Sequence, residues 1–249
     1  MCFRIEQEFE NLQALMDDLK RAFGDVVIHE IISGANIALT NQATVVYENQ
    51  DGVQASGMHF GLVPSWAKEP SNKLGNARSE TAHEKPSFRT AFKRRRCLIP
   101  VTGFYEWRMD PGEKRKTPYK VTVVGRDQPI FYLAGLWEFW EPQQLLSFSI
   151  LTTEPNDFIA NLHNRMPVIL PNDVHDMWLD PANEDKVGLQ AILTAYPAEL
   201  MAYQAYDRYV SSPGNKARSQ IRPAGAKVTM EFGDPLAPQK DAILRKNGY

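Results

Sequence analysis

Seven short β-rich runs crowd the middle of this chain, at 43–47, 54–62, 97–100, 104–108, 119–124, 130–136 and 146–152. Each is rich in Val, Ile, Tyr or Phe or alternates apolar with polar residues, and turn residues part them. Helical spacing is confined to the two ends. Phe9, Leu12, Met16, Leu19 and Phe23 make a helical stripe over 6–23, with Gly24 as its stop. Helical patterns return at 154–162, 171–179 and 186–194, where Pro155 and Pro171 fall near helix starts and a missing N–H costs nothing. Strands in the middle and helices at the ends predict an α+β fold: a single domain with a twisted, antiparallel, barrel-like sheet flanked by helices, not a doubly wound one. No internal repeat or Gly/Ser linker interrupts the chain, and neither GxGxxG nor GxxxxGK[ST] is present.

Composition narrows the class. At 249 residues, 43% hydrophobic and 23% charged, the chain is globular rather than disordered or fibrous. No apolar run nears the ~20 residues that span a bilayer, and the acidic start MCFRIEQEFE has no apolar core to serve as a secretory signal. Two cysteines, Cys2 and Cys97, make no disulfide framework. A soluble protein of a reducing cytoplasm, without membrane association, is the expectation. The net charge of −2 hides an asymmetry: residues 68–126 hold 15 Lys/Arg against 6 Asp/Glu, whereas the remainder holds 13 against 24. A basic middle on an acidic body predicts either a positive patch facing an anion, nucleic acid above all, or a solvated basic surface.

Four places carry candidate chemistry. If Met1 is excised, Cys2 becomes the first residue, with a free α-amine (ordinary pKa about 7.7–8.0) and a thiol (about 8.5) on one carbon. Such a 1,2-aminothiol condenses with an aldehyde to an imine and closes a thiazolidine; the plainer reading is a buried apolar cysteine. In Asn76-Ala77-Arg78-Ser79-Glu80-Thr81, Asn76 offers amide hydrogen bonds and Arg78 a fork suited to phosphate, or Ser79 or Thr81 caps a short helix. Glu106, between Tyr105 and Trp107 on a strand, shares a face with Phe104 and Arg108. There it acts as a general acid/base with a raised pKa or pairs with Arg108. His163, followed by Arg165, suits proton transfer near pH 7 or sits on a helix dipole. Trp66 and Trp107 beside basic residues suit base stacking, or pack in the core. His29, His59, His83 and His175 show no metal-ligand spacing with the cysteines, so neither metal nor cofactor is expected.

Taken together these stretches resemble the SOS-response-associated peptidase family. The matching segments are Met1-Cys2, FGLVPSWA (60–67), NARSET (76–81), RRCLIPVTGFYEW (95–107), LAGLWE (133–138), SILTTEPND (149–157) and LHNRMPVIL (162–170), in the family's order. The resemblance covers 1–215 as one domain and leaves 216–249 as a C-terminal extension. It implies a β-barrel-like core with a positive groove for single-stranded DNA. It also implies covalent capture of the ring-opened aldehyde of an abasic site. By motif match Cys2 is the nucleophile and Asn76, Glu106 and His163 are its partners. Arg78 and Arg165 match phosphate-binding arginines, Trp66 and Trp107 groove aromatics, and Arg4, which matches the family's Met-Cys-Gly-Arg start, joins them as a DNA-binding residue. Phe3 departs from that start by replacing the Gly, and 209–215 only loosely echoes the family's pattern.

The function expected on this basis is protection of abasic sites by a thiazolidine crosslink through Cys2, with self-processing and crosslink reversal as side activities, in a monomeric bacterial protein that joins the nucleoid when bound. The rival expectations are a cysteine-type peptidase acting on proteins and a non-covalent single-strand-binding module.

Overall fold

The computed structural model describes residues 2–9, 11–70, 74–125 and 129–230. Its strands are β1 (Arg4–Gln7), β2 (Val26–Ile28), β3 (Gly34–Ala38), β4 (Gln42–Asn49), β5 (Gly52–Phe60), β6 (Asn76–Arg78), β7 (Arg96–Val101), β8 (Gly103–Arg108), β9 (Thr117–Val123), β10 (Phe131–Trp140), β11 (Leu145–Thr153), β12 (Met166–Pro167), β13 (Ile169–Leu170), β14 (Met201–Tyr206) and β15 (Pro223–Thr229). The helices are α1 (Leu12–Phe23), α2 (Ser79–Ala82), α3 (Arg89–Arg94), α4 (Asp157–Ala160), α5 (His175–Leu179) and α6 (Lys186–Ala191).

All seven runs read from the sequence form strands, and five of them close a barrel in the order β4-β5-β11-β10-β7, back to β4. The closing seam pairs β5 with β11 in parallel, Ser147 opposite His59 and Phe148 opposite Phe60. The barrel is therefore not wholly antiparallel; β2 on β5 and β6 on β11 are parallel as well. Alternation along each strand sorts its side chains. Val45, Tyr47, Met58, Phe60, Cys97, Ile99, Leu133, Phe148 and Ile150 turn inward, with the Phe60 and Phe148 rings stacked at 4.9 Å. Val46, Ala55, Leu98, Ala134, Leu136 and Leu151 turn outward and are covered by Leu15 and Leu19 of α1, Phe92 of α3 and Trp178 of α5. Cys97 is fully buried among these side chains.

A second sheet, β15-β14-β9-β8-β1-β3, lies against the barrel. β7 passes into β8 through Thr102 alone, so one run of chain belongs to both sheets. Ile5, Ile37, Phe104 and Val121 of the second sheet share one buried cluster with the barrel interior. β1 is an inner strand, paired with β3 on one edge and β8 on the other. Gln7 fastens its far end to the barrel. Its Nε2 donates to the carbonyls of Thr44 (2.7 Å) and Pro100 (2.8 Å), and its Oε1 accepts from the Thr44 amide (2.8 Å). The side chain is fully buried. Gln7→Ala leaves three buried polar groups without partners and opens a void; we expect a loss of about 3 kcal/mol or more, read as a lowered denaturant midpoint at unchanged m-value. A loss under about 1 kcal/mol would show this bridge to be dispensable.

The helical stripe over 6–23 needs correction. Its first residues form β1, because their pairing with β3 and β8 outweighs the helical spacing. The helix begins only at Leu12, where the Asn11 side chain caps the Ala14 amide at 2.7 Å, and it ends at Gly24, whose φ of +69° suits glycine. Leu12 is exposed, and the buried face is Leu15, Asp18 and Leu19, with Asp18 accepting from the Tyr132 hydroxyl at 2.6 Å. No described helix is long and apolar enough to cross a membrane. β15 adds to the edge of the second sheet, whereas 231–249, most of the expected extension, lie outside the described residues.

Candidate functional site

The start of β1 brings the first residues to the working end of β8. Ile5 pairs with Phe104 and Glu6 with Gly103, which leads Phe3 into a cleft that Glu106 and Trp107 of β8 also line. Asn76 reaches across from β6, and its Nδ2 donates to the Cys2 carbonyl at 2.8 Å. β6 holds it there by pairing in parallel with β11, Asn76 opposite Ile150 and Arg78 opposite Thr152. Alternation sends Asn76 and Arg78 to one side and buries Ala77. Arg78 itself precedes α2 and neither Ser79 nor Thr81 caps that helix, so the capping reading of this motif does not hold.

His163 follows α4, a single helical turn capped by Asn156 onto the Ile159 amide at 2.8 Å. The His163 amide closes that turn on the Ile159 carbonyl at 2.9 Å. Its Nδ1 accepts from the Arg165 amide at 3.0 Å, which leaves the neutral ring's proton on Nε2. Burial holds the imidazole below its ordinary pKa and Lys116 adds to this, so a charged histidine on a helix dipole is disfavoured.

A cleft of about 470 Å³ opens among these elements, lined by Phe3, Arg78, Glu106, Trp107, Lys116, Thr152, His163, Asn164 and Arg165. Glu106 is only 3% exposed, and burial pushes its carboxyl up to about 7, against the pull of Lys116. Arg108 is not its partner, being held by Asp110 at 2.6 Å and the Tyr119 hydroxyl at 2.6 Å. Cys2 does not line the cleft. It is 1% exposed, and burial, then the Glu106 charge, push its thiol well above the ordinary range. Met1, whose removal the expected chemistry requires, lies outside the described residues.

The cationic rim is smaller than the charge count predicts. Within 68–126, Arg95 pairs with Glu138 (2.7 Å), Arg96 is buried among main-chain carbonyls, Lys120 pairs with Glu6, and Lys93 and Arg94 pair with Glu184. Among the described cations of that tract, Arg78 and Lys116 alone line the cleft. Arg165 joins them, but Glu80 already holds its guanidinium in two bonds of 2.7 and 2.9 Å. Arg4 is buried: its Nη1 donates to Asn36 Oδ1 (2.8 Å) and the Val210 carbonyl (2.5 Å), and its guanidinium lies 5.3 Å from the Trp107 ring centre. It supports Trp107, which also donates from Nε1 to Ser211 Oγ at 3.0 Å, rather than facing the cleft. Trp66, 67% exposed, lies outside the cleft altogether. Sequence reasoning missed Lys116, Thr152 and Asn164 as lining residues and Glu80 as a partner. Lys116 belongs to a visible Lys114-Arg115-Lys116 tract, but nothing in the sequence says that this tract folds over Glu106. Among the described residues no group of three His, Cys, Asp or Glu side chains is placed to hold a metal.

Comparison with known proteins bears on this arrangement. The Bacillus subtilis protein named abasic site processing protein YoqW is 37% identical over 192 residues, covering 75% of this chain and 84% of its own. The abasic site processing protein HMCES of Pongo abelii is 30% identical over 209 residues, covering 70% of this chain and 58% of its own. A crystal structure of a Bacteroides thetaiotaomicron protein superposes with a TM-score of 0.67 at 22% identity, covering 87% of this chain and 97% of its own, and so shares the fold. The model of the SOS response associated peptidase (SRAP) family matches residues 1–213 without a break. The chain belongs to that family.

Proposed function

We propose that this protein recognises abasic sites in single-stranded DNA and captures them covalently through Cys2. The observation that carries the reading is one cleft lined by a carboxyl titrating near 7, a histidine with its proton on Nε2 and the cations Arg78 and Lys116, beside a Cys2 whose carbonyl is held by the Asn76 amide. Relatives named for abasic site processing support it.

The chemistry balances without a cofactor. Hydrolysis removes Met1 and frees the Cys2 α-amine. Asn76 holds the Cys2 carbonyl, and its Oδ1, buried and without a partner among the described residues, is a ready acceptor for that amine. The amine attacks C1′ of the open sugar and forms a C–N bond. Glu106 takes a proton from the amine and passes it to the departing hydroxyl, which leaves as water and gives the imine. The Cys2 thiol then adds to the imine carbon, its proton passing to nitrogen, and the thiazolidine closes. His163 donates from Nε2 during ring opening. Running the steps backward, with Glu106 returning the proton, reverses the crosslink. Arg78, Lys116 and Arg165 take the flanking phosphates, Trp107 stacks a base beside the lesion, and Trp66 offers a second aromatic face away from the cleft.

A denaturing gel with an abasic single-stranded oligonucleotide, read beside the intact mass of the protein, tests the proposal. A slow band from protein that has lost Met1 is the expected result. A band from protein that keeps Met1 would overturn the chemistry, and casein turnover with no band would favour a peptidase. Arg78→Ala is expected to weaken non-covalent binding and to reduce the log–log salt slope by about 0.7, one phosphate contact on a single strand. A slope unchanged in that variant would remove Arg78 from the phosphate contacts.

A further inference from the structure

We infer that Phe3 restricts the cleft to an aldehyde borne on a baseless sugar and turns away an aldehyde borne on a nucleobase. This rests on the reading of the cleft as an aldehyde-capturing site. Phe3 directly follows the nucleophile and lines the cleft with Glu106 and Trp107. Its ring is backed on the side of Gly75. A Cβ placed on Gly75 would lie 3.0 and 3.1 Å from Phe3 Cε1 and Cδ1 and would run into Leu39 Cδ1. The ring is thus backed by the bare Cα of Gly75, with Leu39 alongside.

The backbone on both sides of this contact is pinned. Asn76 Nδ2 donates to the carbonyls of both Cys2 and Gly75, each at 2.8 Å, and the Gly75 carbonyl also accepts from the Ile150 amide at 3.0 Å. Arg4 is held by β3, and from Ile5 onward the chain is held on both edges by β3 and β8. Across the cleft Trp107 is fixed by Ser211 and by the Arg4 guanidinium. Two anchored aromatic side chains therefore line the cleft beside Cys2.

An opened abasic sugar presents its aldehyde carbon at C1′ with no ring attached beyond it. A 5-formylpyrimidine carries its aldehyde on the base, so the whole heterocycle must come up to Cys2 with the carbonyl and compete with Phe3 for space. One methylene of excess bulk in a rigid pocket costs roughly 10–200-fold, and a ring belongs at the upper end of that range.

The test uses two single strands that differ only at one position, abasic or 5-formyluracil, with the full-length protein and its Phe3→Gly and Phe3→Leu variants. Adducts are quantified on denaturing gels, and thermal melting confirms that each variant is folded; where Phe3→Gly loosens the start of β1, Phe3→Ala carries the same comparison. The wild type is expected to prefer the abasic strand by about 100-fold. Phe3→Gly is expected to lower that ratio at least roughly tenfold, through a gain in formyluracil adduct, while Phe3→Leu, which keeps most of the bulk, holds it within roughly threefold. An unchanged ratio in the glycine variant overturns the inference, as does equal loss in the leucine and glycine variants. Absence of any abasic adduct in the wild type is a different result: it overturns the reading of the cleft itself and this inference with it.

Discussion

Replacing Cys2 is expected to produce the largest effect of any single substitution. Cys2→Ala keeps an α-amine but has no thiol, so the thiazolidine cannot close and the adduct that survives denaturation disappears. Its imine remains open to hydrolysis and becomes visible only when borohydride traps it. Cys2→Ser should behave alike, because a hydroxyl is a far weaker nucleophile toward the imine carbon. Neither variant alters Arg78, Lys116 or Trp107, so non-covalent affinity for single strands should stay within about threefold, the rim's phosphate contacts being intact. Adduct of wild-type yield from Cys2→Ala without borohydride would exclude the aminothiol mechanism.

Glu106→Gln comes second, and its signature lies in pH. Glu106 titrates at about 7 because it is buried, so the carboxylate needed to take the amine's proton forms as pH rises through 7. Wild-type crosslinking should therefore accelerate across that value. Glutamine cannot exchange a proton; the rate should fall about 10²–10⁴-fold and the inflection near 7 should vanish, leaving only that of the amine. The same residue predicts stability with the opposite slope. Between about 4.5 and 7 the folded state keeps a proton that the unfolded state gives up, so stability falls as pH rises through this window. The cost above pH 7 is about 3 kcal/mol. Glu106→Gln lacks this term, so its melting temperature should drop less than that of the wild type between pH 5 and pH 8. Parallel melting curves for both proteins across that range would argue that Glu106 is charged at all these pH values.

Local pattern carried some parts of the molecule and not others. The strands of the barrel were legible because each is a dense Val/Ile/Tyr/Phe run whose alternation matches an inward and an outward face. β1 was not, because four residues that run into the start of a helical stripe hold no local sign that β3 and β8 will claim them. β6, β12 and β13 are two or three residues long and exist only as partners of β10 and β11. In the site, the alternation that put Glu106 beside Phe104 was visible in the sequence, and the fold buries both. Arg4 was expected at the DNA from its place in the family's opening motif; that the fold buries it was not legible, because its partners Asn36 and Val210 are distant in the chain. The basic tract left two readings open for the same reason. A count of charges does not show which of them find carboxylates or carbonyls, and here Glu6, Glu138 and Glu184 absorb much of it.

The place of β1 inside its sheet also bears on mechanics. A strand of DNA joined to the second residue and hauled away by a moving helicase or polymerase would load β1 along its own axis. Because that strand is laced to neighbours on both edges and anchored at its far end by Gln7, tension has to shear the two ladders together rather than peel them one rung at a time. A tether rooted this way should resist tugging far better than one attached to an edge strand or a loop, and single-molecule pulling through the adduct would measure the difference.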